Sequence, residues 1–403
     1  MAFLILLLIF LSWRAFDNWV LFISSKLLSY AGLFPYGRYI YNFGLDQVTS
    51  ALANFDGIHY LYIAHRGNYM SWEQAYFPFY PLLIRFVNLI FRNELITGIL
   101  ISNVSFLVGL IFLFKLFKFK IPNTKYWMFV FLLMFPTSFF FGTAYTEGLF
   151  FFLLISTLYF LKKEKYLLVG VMSVLASMTR LIGVFLVIPI IFHLIQKLKV
   201  KSQNLNSKVK SFLYLIFNTK YFMLVFSPFI GLMIYCFYLW KTTGDPFMFL
   251  TSQPVFGANR STNIILLPQV VWRYIKIFFT ASHNYQYYVS IFEFIMFFLV
   301  FTVLIFDLFK HLKINNWKLI RNLKLEIRNY DRLALNLFSF ANLILPTLTG
   351  TFSSVPRYAL FSISIFLFLT EIKSRILKII IAIVFIVFHV IILSLFGQGY
   401  FIG

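Results

Sequence analysis

The chain has a single cysteine and few charged residues, and these scarcities exclude several classes of protein. Cys236 stands alone in an apolar run, so an intramolecular disulfide is impossible and a cysteine-based metal site is excluded. Only 12% of the 403 residues are charged, 61% are hydrophobic and the mean hydropathy is +0.85, which excludes a water-soluble globular fold. The 35 Lys and Arg residues lie in short clusters, without the continuous basic stripe of a nucleic-acid groove. We therefore expect membrane lipids around the chain and no nucleic-acid partner.

Long apolar runs are abundant. The run from Ile376 to Phe396 lacks the alternation of polar and apolar residues that a membrane β-barrel requires, so helices are expected. Run length predicts an all-α polytopic membrane protein with about eleven transmembrane helices in one domain, residues 1–403. The predicted spans lie near residues 2–22, 94–114, 127–143, 148–161, 166–179, 181–196, 221–240, 289–309, 333–349, 357–371 and 376–396.

Lys and Arg also predict the orientation of the chain. With a cytoplasmic N-terminus, five alternate connections on the inner side hold roughly two-thirds of these residues, as the positive-inside rule requires. The longest of them are basic cytoplasmic loops at 197–220 and 310–332. The opposite side receives a large first outer loop, residues 24–93, which we expect to carry short interfacial helices. Polar residues outside the basic loops are expected to gather at the outer ends of the spans.

The first outer loop is unusually rich in Asp, His, Arg and aromatic residues. If a helix begins near Asp56, residues three and four apart place Asp56, His59 and Tyr60 on one face. The helix N-terminus favours an ionised carboxylate, which could accept the proton of a sugar hydroxyl as that hydroxyl attacks an activated carbon. The alternative is an N-cap aspartate in an interfacial amphipathic helix with aromatic anchors.

Three further charged residues, Glu147, Arg180 and Arg357, stand at predicted ends of spans. Arg180 has no other charge within about fifteen residues on either side, and such an arginine is costly in a membrane unless it is paired or hydrated. A lipid phosphate is one partner that a guanidinium can bind bidentately. The competing interpretation is a structural ion pair with Glu147, which could also be a simple helix-start carboxylate. Arg357 permits the same two interpretations as Arg180.

Six motifs are spread in order across most of the chain. They are Phe55-Asp56-Gly57-Ile58-His59-Tyr60, Tyr76-Phe77-Pro78-Phe79-Tyr80-Pro81-Leu82-Leu83, Phe135-Pro136-Thr137 with Tyr145-Thr146-Glu147, Thr179-Arg180, Gly244-Asp245-Pro246 and Arg357-Tyr358. Together they resemble the membrane mannosyltransferase family of the second GPI mannosyltransferase (PIG-V type) and its prokaryotic relatives, which have the GT-C fold.

The resemblance implies an inverting glycosyltransferase, with mannose as the leading candidate sugar. Its donor would be a polyprenyl- or dolichyl-phosphate sugar, and its acceptor a hydroxyl of a lipid-linked molecule or glycan. The reaction would occur on the outer or lumenal face, in the plasma membrane of a prokaryote or the endoplasmic reticulum membrane of a eukaryote. Asp56 would be the catalytic base.

The same resemblance implies which other residues contact the substrates. Glu147, Arg180 and Arg357 would surround the donor and acceptor cavity, and contacts are also expected from His59, Glu73 and Tyr358. Many GT-C enzymes have a second acid in the first loop, but the position two after Asp56 is Ile58. That departure favours chemistry without a metal, and no cofactor is expected besides the lipid-linked donor.

Two other functions remain open. In a transporter or lipid flippase, Arg180 and Glu147 would be substrate or gating charges in a water-filled pathway. In a non-catalytic subunit of a glycosylation complex, the fold would survive without activity. Retention of Asp56 and of the Arg180 segment favours an enzyme.

Overall fold

The computed structural model describes residues 2–31, 37–70, 72–117, 122–201, 218–315, 324–327 and 330–402. This part of the chain is helical apart from one two-stranded sheet. Its α-helices are α1 (Ala2–Leu27), α2 (Gln47–Ala51), α3 (Asp56–Arg66), α4 (Phe79–Phe91), α5 (Glu94–Leu116), α6 (Pro122–Leu133), α7 (Glu147–Lys162), α8 (Tyr166–Thr179), α9 (Val187–Lys201), α10 (Thr219–Thr243), α11 (Met248–Thr251), α12 (Leu267–Thr280), α13 (Tyr285–His311), α14 (Tyr330–Ile344), α15 (Val355–Tyr358), α16 (Ile363–Thr370) and α17 (Arg375–Gly397).

Shorter 3₁₀ turns and an antiparallel pair of strands complete the described structure. The turns are Gly37–Phe43, Glu73–Ala75, Ser138–Gly142, Leu181–Leu186, Gln253–Phe256, Leu345–Thr349 and Ala359–Phe361. Strands β1 (Leu312–Asn315) and β2 (Lys324–Ile327) pair with Leu312 opposite Ile327. The two strands lie within the predicted basic loop 310–332, and the rest of the described structure is helical, which supports the all-α prediction. Residues 202–217, most of the predicted basic loop 197–220, lie outside the described residues.

Six helical segments of the described chain are long and apolar enough to cross a membrane, which makes the chain a multi-pass helical membrane protein. They are Phe3–Leu27, Glu94–Leu116, Leu181–Leu198, Thr219–Thr243, Tyr285–His311 and Arg375–Gly397. Each coincides with one of the eleven predicted spans. The other five predicted spans fall on shorter helices and turns; 127–143, for example, contains the end of α6 and the turn Ser138–Gly142.

Side-chain caps fix the start of four of the long helices. Helices α5, α10, α13 and α17 each begin after a residue whose side chain accepts a hydrogen bond from the backbone N–H three residues later, namely Asn93, Asn218, Asn284 and Ser374. Such caps satisfy an N–H that has no partner within the helix. Each of these four apolar helices therefore begins directly after a polar residue that caps it.

Helices α5, α7, α8 and α10 pack in series, and this packing positions the start of α7. Gly148, the second residue of α7, lies so close to α5 that a Cβ would stand 2.3 Å from the Ser102 carbonyl oxygen. Small residues at helix crossings allow this approach in membrane proteins. Nearby, the rings of Phe106 and Phe141 stack with their centroids 4.2 Å apart.

Several charges are buried within the long apolar helices. In α1, Asp17 accepts a hydrogen bond from Arg14 and lies 2.8 Å from Nε2 of His389 in α17. In α13, Asp307 pairs with Arg332 of α14, with 2.7 Å between Oδ1 and Nη2. The expectation that polar residues gather at the outer ends of the spans is therefore incomplete. Asp17 is paired within α1 and with α17, and Asp307 is paired with α14. The length of an apolar run does not indicate such pairings.

The predicted first outer loop, 24–93, contains helices α2, α3 and α4, as expected. Helix α4 buries Tyr80 and Ile84 while Phe86, Leu89 and Ile90 are more than 70% exposed. An exposed apolar face of this kind suits the lipid interface, where we predict that α4 lies.

Candidate active site

A cavity of about 400 Å³ brings together residues from the two halves of the chain. Four charged residues line it: Asp56, Arg180, Arg260 and Arg357. The rest of the wall mixes apolar side chains with hydroxyl and amide groups, and it includes residues exposed on the surface, such as Leu250 and Ile264. The cavity therefore presents charged, polar and apolar groups together.

Asp56 is held at the first position of α3 by contacts of the preceding turn. The Asn54 side chain donates to the carbonyl of Phe396 at 2.8 Å, and the Tyr145 hydroxyl donates to the carbonyl of Asn54 at 2.5 Å. Phe55 has φ +59°, an uncommon value for a non-glycine residue. The predicted helix start at Asp56 is confirmed, but the residue caps nothing, because its carboxylate turns towards the cavity.

Both oxygens of Asp56 have partners. Oδ2 lies 2.8 Å from Nη1 of Arg357, and Oδ1 accepts a hydrogen bond from the Tyr76 hydroxyl at 3.1 Å. The side chain is 23% exposed. Burial opposes ionisation, but the charge and hydrogen bond of Arg357 outweigh it, with smaller contributions from His59 and Arg260, so the pKa of Asp56 lies below its ordinary value. Asp56 is an ionised carboxylate at neutral pH.

Glu147 connects two arginines behind the cavity. It is fully buried at the first position of α7, and its Oε1 lies 2.6 Å from Nη1 of Arg180 and 3.2 Å from Nε of Arg357. The order Asp56, Arg357, Glu147, Arg180 is a row of alternating charges. Both structural interpretations of Glu147, the helix-start carboxylate and the ion pair with Arg180, are confirmed.

The two arginines are also held by rings and by a hydroxyl. Arg180 follows the end of α8 in an extended conformation, donates to the Thr146 hydroxyl at 2.9 Å and lies 4.9 Å above the ring of Tyr358. Arg357 lies 5.4 Å from the ring centroid of Tyr145. Cation–π contacts of this kind stabilise a buried guanidinium. Tyr358 itself lines the cavity.

His59 and Glu73 form a separate cluster beside the cavity. Oε1 of Glu73 lies 3.5 Å from Nδ1 of His59, and its other oxygen binds Arg66 and the backbone N–H of Met70. Burial opposes ionisation of Glu73, but the hydrogen bonds from His59 and Arg66 outweigh it and lower its pKa. Neither His59 nor Glu73 is among the cavity-lining residues. Their link to Asp56 is Tyr76, whose ring stacks on His59 at 5.2 Å.

Two residues of the site were not singled out from the sequence. Tyr76 stands in the quoted aromatic motif, yet nothing in that motif indicates that its hydroxyl reaches Asp56. Arg260 lies in the polar segment between α11 and α12, where a lone arginine among Gly, Asn and Ser residues looks like ordinary loop sequence. Only the fold brings them to the cavity.

In the described part of the chain, no three His, Cys, Asp or Glu side chains converge in a way that could hold a metal ion. Metal-independent chemistry remains a prediction that this finding does not test. Comparison with known proteins finds no matching family model, curated protein or solved structure. The family resemblance therefore remains a prediction as well.

Proposed function

We propose that the chain is an inverting glycosyltransferase that moves a sugar, with mannose the leading candidate, from a polyprenyl-phosphate carrier to a hydroxyl acceptor. The acceptor would be a lipid-linked molecule or a glycan at the outer or lumenal membrane face. A GT-C bundle of about eleven spans, metal-independent chemistry and a likeness to the PIG-V type belong to the same proposal.

The observation that carries the proposal is the composition of the cavity. Asp56 and three arginines line the same cavity as apolar side chains such as Leu345 and Ile264. A lipid phosphate sugar combines the same two kinds of group, a charged sugar-phosphate head and an apolar chain. A donor could place its head beside Asp56 while its chain leaves along the apolar wall.

The reaction follows from the position of Asp56. The acceptor oxygen would bond to the anomeric carbon as the bond from that carbon to the phosphate oxygen breaks. The acceptor proton would pass to Asp56, and the polyprenyl phosphate would leave with the bonding electrons. Attack opposite the phosphate inverts the configuration at the anomeric carbon.

Arg357 would change partners during this reaction. In the described structure it occupies Oδ2 of Asp56 and lowers the pKa of that carboxyl, which makes Asp56 a weak base. A donor phosphate would compete with Asp56 for the guanidinium. Release of Asp56 would then raise its pKa and free an oxygen for the acceptor hydroxyl, so that donor binding prepares the base.

The test is sugar transfer by purified protein in lipid nanodiscs, using polyprenyl-phosphate sugars as donors. We expect Asp56→Asn to lower the rate by at least about a hundredfold, since general-base catalysis contributes roughly 10²–10⁴-fold. Asp245→Asn is the matched control, because Asp245 accepts from the Phe247 N–H and Thr251 hydroxyl in a turn outside the cavity. Full activity of a normally folded Asp56→Asn protein would rule out the mechanism.

A transporter is the second candidate, and the buried charges in the spans favour it. Arg14, Asp17 and His389 lie within helices α1 and α17, where charges often mark a transport pathway. None of these three lines the cavity that holds Asp56. Substrate uptake into vesicles without any sugar transfer would support the transporter over the transferase.

A further inference from the structure

Arg260 differs from the other arginines of the cavity in having no acidic partner. In the described part of the chain its guanidinium donates to the neutral side-chain oxygen of Gln253 at 3.2 Å, and it lies 5.9 Å from the ring centroid of Phe256. Its Nε is buried without a hydrogen-bond partner among those residues. A buried donor without an acceptor is costly, so a ligand that supplies one is favoured.

Two of the three cavity arginines are held in ion pairs, and in the described part of the chain the third is not. Arg180 and Arg357 are matched by Glu147 and Asp56 in the row of alternating charges. Glu293, the next buried carboxylate, accepts hydrogen bonds from the Tyr274 hydroxyl and the Ser354 N–H; Arg260 acts on Glu293 and on Asp56 through its charge, without a hydrogen bond to either. Among the described residues, Arg260 is thus the cavity arginine that no carboxylate contacts at hydrogen-bond distance.

The backbone holds Arg260 against that wall. The three residues before it, Gly257, Ala258 and Asn259, all have φ between +51° and +71°, which is uncommon for alanine. The residue after it is fixed, because the Ser261 N–H donates to the Thr349 carbonyl at 2.8 Å. Strain of this kind persists where the surroundings fix a conformation, and here the conformation presents a guanidinium to the cavity.

We propose that Arg260 binds the phosphoryl group of the lipid-linked donor, and that it provides the first contact for this group while Arg180 and Arg357 are still paired with carboxylates. The assignment rests on the proposed function for the identity of the donor. Under this proposal Arg260 determines the affinity for the donor, whereas Asp56 acts on the acceptor.

The experiment measures binding to purified full-length protein in phosphatidylcholine nanodiscs by titration calorimetry. The probes are a polyprenyl phosphate, the matching polyprenol and inorganic phosphate. We expect Arg260→Gln to weaken polyprenyl phosphate binding by about ten- to a hundredfold, the usual effect of losing a charge-assisted hydrogen bond, and to leave polyprenol binding unchanged. Arg260→Lys should bind polyprenyl phosphate more weakly than the wild type but more tightly than Arg260→Gln, because lysine keeps the positive charge and lacks the planar set of N–H donors. Arg92→Gln, an exposed arginine at the end of α4, should match the wild type.

Each of the other outcomes contradicts one of two proposals, the role of Arg260 or the glycosyltransferase function. Equal binding of polyprenyl phosphate by wild type and a folded Arg260→Gln protein would overturn the role of Arg260, and the function would stand if the wild type still transfers sugar. Weaker binding by Arg260→Gln together with no transfer from any polyprenyl-phosphate sugar would retain the anion site and remove the function. Inorganic phosphate binding as tightly as the lipid would identify a free-phosphate site and overturn the donor assignment.

Discussion

Glu147 is a single residue on which stability should depend, because it is fully buried and faces two arginines. Replacing it by Gln leaves both guanidiniums without their shared carboxylate. Removal of one partner from a buried ion pair typically costs about 3–5 kcal/mol. We expect Glu147→Gln to lower the free energy of unfolding by that amount, measured by thermal unfolding in one detergent.

An exposed ion pair supplies the control. Glu164 pairs with Lys197, and its side chain is 53% exposed, so Glu164→Gln should change the free energy of unfolding by less than about 1 kcal/mol. Adding Arg180→Gln to Glu147→Gln should recover part of the loss, because one uncompensated charge disappears. Equal stability of the Glu147 and Glu164 variants would contradict the row of alternating charges.

The lowered pKa of Asp56 predicts that the stability of the fold depends on pH. Its pKa is lowered in the folded protein, against burial, chiefly by Arg357, so the ion pair stabilises the fold above the ordinary aspartate value of 3.8. The contribution is lost as the pH falls through the lowered pKa. We expect the difference in unfolding temperature between wild type and Asp56→Asn to be largest near pH 7 and to vanish in strong acid. A difference that grows below pH 4 would contradict the lowered pKa.

The sequence indicated the residues of the site better than their contacts. The helix starts at Asp56 and Glu147 follow from local pattern. The pairing of Asp56 with Arg357 joins residues 301 positions apart, and no local spacing indicates it. The contact between His59 and Glu73 also depends on packing between separate segments. The same is true of the position of Arg260 in the cavity wall.

Among the elements, the long helices were predictable and the short ones were not. A long apolar run with a polar cap at its start, as in α5 or α17, has one stable arrangement in a membrane. The apolar residues 127–143 do not form one helix, because Pro136 cannot donate to the helical ladder and Phe139 and Phe140 are buried in a 3₁₀ turn. Apolar composition shows that such residues are buried but not in which backbone conformation.

The crossing of α5 and α7 gives a prediction about an element. In Gly148→Ala, the new Cβ would stand 2.3 Å from the Ser102 carbonyl oxygen and 2.6 Å from that of Phe141, so the helices must separate. Overpacking typically costs about 1–3 kcal/mol, and here it also displaces the neighbouring Glu147. We expect lower thermal stability and lower sugar transfer.

Gly170→Ala in α8 is the matched control for that substitution. The nearest atom to its new Cβ is the Ser227 Cβ at 3.9 Å, an ordinary contact. Alanine also favours a helix over glycine by roughly 1 kcal/mol, so this variant should lose no stability. If both variants behave alike, the close crossing does not limit the fold.

Across the whole molecule, buried polar contacts join separate helices. Asp17 and His389 link α1 to α17, and Asn336 of α14 donates to Asp307 of α13 at 3.0 Å. Since lipid offers no hydrogen bonds, such groups must be satisfied within the protein. The same rule explains why Arg180 and Arg357 of the cavity are paired with carboxylates.

The distribution of Lys and Arg predicts which side of the membrane this cavity faces. Excess basic residues remain cytoplasmic, so the segment between α12 and α13 should be outside and the connection between α7 and α8 inside. Ser282 and Lys163 are exposed in these two segments. In a Cys236→Ser background, a membrane-impermeant maleimide should label Ser282→Cys in intact cells and Lys163→Cys only after permeabilisation. The reverse pattern would place Asp56 on the cytoplasmic face and refute an outer-face reaction, and labelling of both positions from one side would contradict the spans between them.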